Sequence, residues 1–233
     1  MTTLVYVGPT LPADEVRARL PAARVLPPVS VGDVLRAARD RRVRRIAIID
    51  GYFERMAAVW HKEILVALAR GIAVWGAASM GALRAAELAP YGMIGVGAIY
   101  RAYRRGELVA DDEVAVAHLP AEHGFRAVSD ALVSIRFALA RAPITPRTRD
   151  RLIELARARF YRERTWTNLL ADARAAGLPG RQLAALEAWP KPDRKAADAR
   201  LLLARLARDP GTRPPPLEVP RTWALRQLER MLS

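Results

Sequence analysis

The sequence predicts an α/β protein: a parallel, Rossmann-like sheet in the N-terminal half and a mostly helical C-terminal part. Three observations carry this. Up to residue 95, strand-like apolar runs alternate with helical segments through short links, a pattern that implies parallel strands joined by right-handed crossovers. Two of those runs, 45–50 and 72–77, are continuously apolar, as strands buried on both faces are. From about residue 125 to 208 the apolar spacing is helical almost throughout.

In chain order, "TLVYVG" (3–8) reads as a strand that ends in the turn "GPT". A helix follows over 12–20, with Pro12 and two acids in its first turn. "ARVLP" reads as a short strand, and 30–42 as a helix opened by a Ser30 cap. The strand "RIAIID" (45–50) leads to an amphipathic helix over 56–71 that Gly71 closes. Then come the strand 72–77, a helix over 79–88 and a helix over 96–108. Residues 109–120 read as a loop with a short strand. The helical stretch that follows is interrupted at "RAPITP", "GLPG" and "WPKP". Residues 209–220 form a proline-rich connector, and an amphipathic helix ends the sequence. The expected organisation is therefore an α/β core over 1–124, a helical region over 125–208, and a connector with C-terminal helix over 209–233.

With 233 residues and a hydrophobic fraction of 52%, the chain can bury a substantial core. Cysteine is absent, which excludes disulfides and thiolate chemistry and suggests a cytoplasmic protein. The N-terminus turns polar too soon for a secretory signal, and no apolar run is long enough to span a bilayer. A formal net charge of +14 suits an acidic partner or nucleic acid. The basic residues are dispersed, however, and "RDRRVRR" (39–45) has no accompanying nucleic-acid motif, so no nucleic-acid partner is expected. Of the 38 basic residues only Lys62, Lys191 and Lys195 are lysines. Lysine can give up its proton in a protein; arginine cannot.

One stretch carries chemistry: "IAVWGAASMGALRAAEL" (72–88) puts a single hydroxyl, Ser79, among small residues where an apolar strand becomes a helix. Such a corner presents the oxygen together with amides of the new helix, here those near Met80 and Gly81, which can hold an oxyanion. Ser79 is thus a candidate nucleophile; a simple helix cap and a phosphate site at the helix N-terminus are the alternatives. Lys62 is its candidate base. The helix from Lys62 to Gly71 and the returning strand have nearly equal lengths, which brings Lys62 and Ser79 to the same end of the sheet. His61 is the competing base. Asp50, at a strand end, is a candidate for orienting the site, and Arg84 and Glu87 a candidate structural pair. His118 and His123 fit no triad spacing, the three histidines fit no metal-ligand pattern, and "GMIGVG" is too slight for a nucleotide loop. No metal or cofactor is expected.

"GPTL", "IDGYF", "VWHKEIL", "GAASMGALRAAEL" and "GELVADDEVAV", in this order, resemble the core of TfuA-like proteins over roughly residues 3–120. The resemblance implies an accessory to YcaO enzymes, which form thioamides on peptide backbones. It implies hydrolysis of the C-terminal thiocarboxylate of a ThiS-like sulfur carrier, releasing sulfide, with Ser79 and Lys62 as the catalytic pair. The partners implied are YcaO, the carrier, and a precursor peptide reached through YcaO. A non-catalytic adaptor that docks on YcaO is the alternative. YcaO is expected on the helical part, around Arg151 and Arg162, away from Ser79.

Overall fold

The computed structural model describes residues 2–53 and 56–232. Five strands form one parallel sheet: β1 (Thr2–Tyr6), β2 (Ala23–Leu26), β3 (Val43–Ile48), β4 (Ala73–Ala77) and β5 (Ile94–Val96), in the order β2-β1-β3-β4-β5. The expected α/β class with a parallel sheet is what the chain adopts. The strand order reverses between β1 and β3, and in open sheets of this kind the carboxyl ends of the strands carry the site.

The helices between the strands are α1 (Ala13–Arg19), α2 (Asp33–Arg39), α3 (His61–Ala69) and α4 (Met80–Leu88), with α5 (Ala98–Arg104) following β5. The sheet is buried on both faces because alternate residues of its strands feed two cores. Leu4, Tyr6, Ile46, Ile48 and Val74 pack with Val34, Ile64, Leu68 and Ala85 of α2, α3 and α4. Val5, Ala47, Ile49 and Trp75 face the other way, onto Val16 of α1 and a helix from much later in the chain, α10 (Arg194–Ala207).

That late helix changes the domain division. The chain forms two compact units, residues 1–108 with 196–233 and residues 109–195, rather than dividing at 124 and 208. Ala199, Leu202, Leu203 and Leu206 of α10 complete the second core of the sheet. The buried Asp198 accepts a 2.8 Å hydrogen bond from the Ile99 amide and so caps α5. The last helix, α11 (Trp223–Met231), packs Leu225 and Leu228 on Leu35 and Val66, and Arg39 donates to its final carbonyls at Glu229 and Leu232. In the other direction, residues 109–124 belong with the helical unit. Arg136 there holds Glu113 through two hydrogen bonds of 2.8 and 3.0 Å, and the buried Arg164 holds Asp112 at 2.8 Å. These polar ties are invisible to apolar periodicity.

The helical unit contains α6 (Leu132–Leu139), α7 (Pro146–Ala158), α8 (Trp166–Ala175) and α9 (Gly180–Ala188) around a core of Ile135, Leu152, Leu169 and Leu186. Threonine caps open α7 and α8: Thr145 accepts from the Thr148 amide and Thr165 from that of Asn168. Residues 109–120 contain a short 3-10 turn and an isolated bridge from His118 to Ala127 where a strand was expected. In the sheet unit, β5 is a strand that the sequence hides, because "IGV" is too short and glycine-bearing to read as one.

Two helix starts also move. Gly32, at φ 88°, opens α2, while Ser30 donates both its amide and hydroxyl to Asp33 instead of capping. Helix α3 begins at His61, not at 56, because Trp60 is extended and its amide is held by Glu63 three residues on.

Helix α4 lies against the sheet through glycine. A Cβ on Gly81 would come to 1.7 Å from the Ile48 carbonyl oxygen, and one on Gly76 to 2.1 Å from that of Gly81. We expect Gly81→Ala to destabilise the protein by at least about 3 kcal/mol or to prevent folding, since neither contact partner is a side chain that can yield. Gly106→Ala, at φ 70° with nothing near its Cβ, should cost only about 1 kcal/mol. Urea denaturation of the two variants checks the contrast.

Candidate active site at the end of β4

The strand β4 ends at Ala77, and the chain reaches Ser79 through a backbone conformation few residues adopt. Ala78 has φ 66°, and the Ser79 amide donates to the Ala77 carbonyl at 2.8 Å, closing a three-residue turn of the strained kind. Ala78 is buried in the second core of the sheet, which holds the turn in place. Ser79 then takes the N-cap position of α4 (φ −115°, ψ −126°), but its hydroxyl makes no capping bond. Its side chain therefore does not serve as a helix cap. The residue is 8% exposed.

The amides around the hydroxyl are less available than the sequence suggests. The Ser79 N–H is used in the turn, and the Gly81 N–H donates to the Ile49 carbonyl at 3.3 Å. The amides of Ala82 and Leu83 return to the Ser79 carbonyl. Among the described residues, only Met80 in this first turn keeps an amide with no acceptor. Of the two expected oxyanion donors, Met80 keeps its amide without an acceptor among the described residues, and Gly81 is engaged in attaching α4 to β3.

The other candidates fall into two groups. His61, Arg84 and Glu87 form one network: Glu87 accepts from His61 Nε2 and from Arg84 Nη1, both at 2.7 Å, and Arg84 Nε donates to the Val59 carbonyl at 3.2 Å. Burial acts to raise the Glu87 pKa, but the hydrogen bonds from His61 and Arg84 outweigh it and hold the carboxyl below its ordinary value of 4.5. This network ties the start of α3 to the middle of α4. Asp50, 1% exposed, faces elsewhere: it accepts from the Gly8 and Thr10 amides at 2.8 and 3.0 Å and from the Thr10 hydroxyl at 2.5 Å. It fastens the β1 turn to β3 and has no bond with Ser79.

Lys62 starts α3 at the same, carboxyl, end of the sheet as Ser79, since α3 runs antiparallel to the strands it joins. It is half-buried and makes no hydrogen bond or ion pair with any described residue, Ser79 included. The His61–Glu87 bond accounts for this. Glu87 lies eight residues, about 12 Å, along α4 from Ser79, so α3 starts lower beside α4 than equal helix and strand lengths imply.

One residue the sequence did not single out is Glu63. It is fully buried, and its carboxylate accepts from the Leu35 amide of α2 at 3.3 Å and the Trp60 amide at 3.0 Å. Burial pushes its pKa up against those hydrogen bonds. Its spacing to Trp60 was the available signal, hidden because Trp60 reads as part of a helix.

A family model for TfuA-like proteins matches residues 50–165. The chain belongs to the TfuA-like family. The match, about half of the chain, runs from the end of β3 to the start of α8. It takes in His61, Lys62, Ser79, Arg84 and Glu87, and reaches further into the helical unit than the sequence motifs at 3–120. No curated protein matches the chain. Among the described residues no cluster of histidine and carboxylate groups could hold a metal ion, and no helix is long and apolar enough to cross a membrane.

Removing the Glu63 carboxylate leaves buried amides of two helix starts unpaired, so Glu63→Ala should cost about 2 kcal/mol or more in chemical denaturation. Glu87 has a lowered pKa in the folded state, so its contribution is present above pH 4.5 and is lost as pH falls through the folded value. The stability gap between the wild type and Glu87→Gln, below about 1 kcal/mol because the group is partly exposed, should therefore narrow when unfolding is measured at successively lower pH.

Proposed function

We propose that this TfuA-like protein supplies sulfide for YcaO-dependent thioamidation of a peptide backbone, by hydrolysing the C-terminal thiocarboxylate of a ThiS-like carrier at Ser79. The observation that carries this reading is the strained corner at Ala78. It sets a buried hydroxyl, not used as a cap, next to a Met80 amide that has no acceptor among the described residues. Family membership supports the pathway, and YcaO, the carrier and a precursor peptide held by YcaO are the proposed partners.

In this reading Ser79 Oγ attacks the thiocarboxylate carbon while Lys62, deprotonated, takes its proton. The Met80 amide meets the oxyanion. The carbon–sulfur bond breaks as the proton held by Lys62 passes to the departing sulfur, hydrosulfide leaves, and water hydrolyses the acyl-serine to return the carrier's carboxylate. Catalytic contacts often close only when substrate is bound, and here the carrier's tail would have to bring the flexible Lys62 side chain to Ser79. His61 is poorly placed to replace it, being engaged by Glu87.

The unjoined Lys62 also favours a second reading, in which the protein is an adaptor that holds YcaO to its substrate without hydrolysing anything. Sulfide release from a thiocarboxylated carrier separates the two. Ser79→Ala should lose at least about a hundredfold in rate while unfolding within about 1 kcal/mol of wild type. Lys62→Arg should lose nearly as much, because arginine keeps the charge and cannot act as a base. Release with the wild type no faster than from the carrier alone would leave the adaptor reading, and unchanged accelerated release in both variants would overturn Ser79 and Lys62 as the pair.

A further inference from the structure

The charge is unevenly divided. The sheet unit carries 23 basic against 13 acidic residues, whereas residues 109–195 carry 15 against 11. Some arginines of the helical unit are engaged internally: Arg151 pairs with Glu154, and Arg162 lies over the Phe160 and Tyr161 rings. One cluster of arginines lies at the amino end of the sheet, where α2 and α3 finish and β3 and β4 begin. A cleft of about 490 Å³ opens there between Arg39, Arg41, Arg44 and Arg70. The carboxylate lining it, Asp40, is already matched by Arg42, which holds both its oxygens.

Two of the four arginines have structural work. Arg70 donates to the Ala38 carbonyl at the end of α2, and Arg39 donates to the end of α11. Both are thereby fixed in place. Arg41 and Arg44 are exposed and make no hydrogen bond or ion pair with a described residue. A cleft with two anchored and two uncommitted guanidinium groups is an electrostatic docking point without an anion of its own.

We propose that this cleft binds an acidic peptide segment of a partner protein, at the end of the sheet opposite Ser79. A peptide suits it better than nucleic acid because, among the described residues, no aromatic side chain on which a base could stack lines the cleft. The partner docked there leaves the Ser79 corner open.

The test is fluorescence anisotropy of a labelled octaglutamate peptide titrated with the full-length protein, beside a single-stranded oligonucleotide of equal charge. Binding of the peptide should weaken at least tenfold in the double variant Arg41→Ala/Arg44→Ala. It should change less than twofold in the equally charged control Arg147→Ala/Arg181→Ala in the helical unit, and thermal unfolding of both variants should match wild type. Raising salt from low to physiological strength should weaken it further. Equal weakening by the two double variants would show diffuse charge and overturn the proposal, as would no binding at low salt. Tighter binding of the oligonucleotide, lost in Arg41→Ala/Arg44→Ala, would make the cleft a nucleic-acid site instead.

Discussion

The corner that presents Ser79 depends on a backbone-to-backbone contact. Gly81 lies on the Ile48 carbonyl and Gly76 beneath the Gly81 carbonyl, so α4 sits closer to β3 and β4 than any side chain would permit. From that distance the Gly81 amide reaches the Ile49 carbonyl, which locks the helix in position along its axis. Because α4 starts so close to the end of β4, the connection has only two residues in which to turn. The chain makes that turn by forcing Ala78 to positive φ. The strain is the consequence of the glycine contact, and the presentation of Ser79 is the consequence of the strain. The G-x-x-S-x-G spacing is thus a packing requirement first and a chemical motif second.

The second constraint is how α3 attaches to this helix. Glu63 joins the starts of α2 and α3 from below the surface, and the His61–Glu87–Arg84 network joins α3 to α4 at the surface. These set the height of Lys62 beside α4. A lysine carries several rotatable bonds, and Lys62 has no partner among the described residues to hold them. In the catalytic reading, rate then responds to whatever orders that side chain, which gives the carrier's tail a role in assembling the site as well as filling it.

How much of this the sequence revealed varied with the kind of interaction involved. Strands β3 and β4 were legible because both of their faces are apolar, and α1 and α4 because their flanking residues are ordinary helix signals. Ser79 was legible as an isolated hydroxyl among small residues. What stayed hidden was long-range and polar. Nothing local distinguishes α10, which returns to the sheet, from the helices before it; Asp198 only acquires meaning once the Ile99 amide is beside it. Arg136 and Arg164 tie residues 109–124 to the helical unit through carboxylates 23 and 52 residues away. Asp50 was found as a strand-end carboxylate but read toward Ser79, when its partners are the Gly8 and Thr10 amides across the sheet.

Those same carboxylates narrow what the sheet's carboxyl edge can do. In doubly wound sheets the amides after β1, and those at helix starts, are where phosphate groups bind. Here Asp50 occupies the amides after β1, Asp198 occupies the start of α5, and Glu63 occupies the start of α2. Each of these three amide sites is taken by a buried carboxylate from the protein's own chain, and replacing it would strand that carboxylate in the interior. The start of α4 differs: among the described residues its Met80 amide meets no carboxylate, and the residue preceding it carries a hydroxyl. In the catalytic reading, an edge with those amides already engaged and a buried serine left at one corner is suited to acyl chemistry on a narrow tail that ends in a reactive carbonyl. That argues for a substrate such as the end of a sulfur carrier over a phosphorylated small molecule.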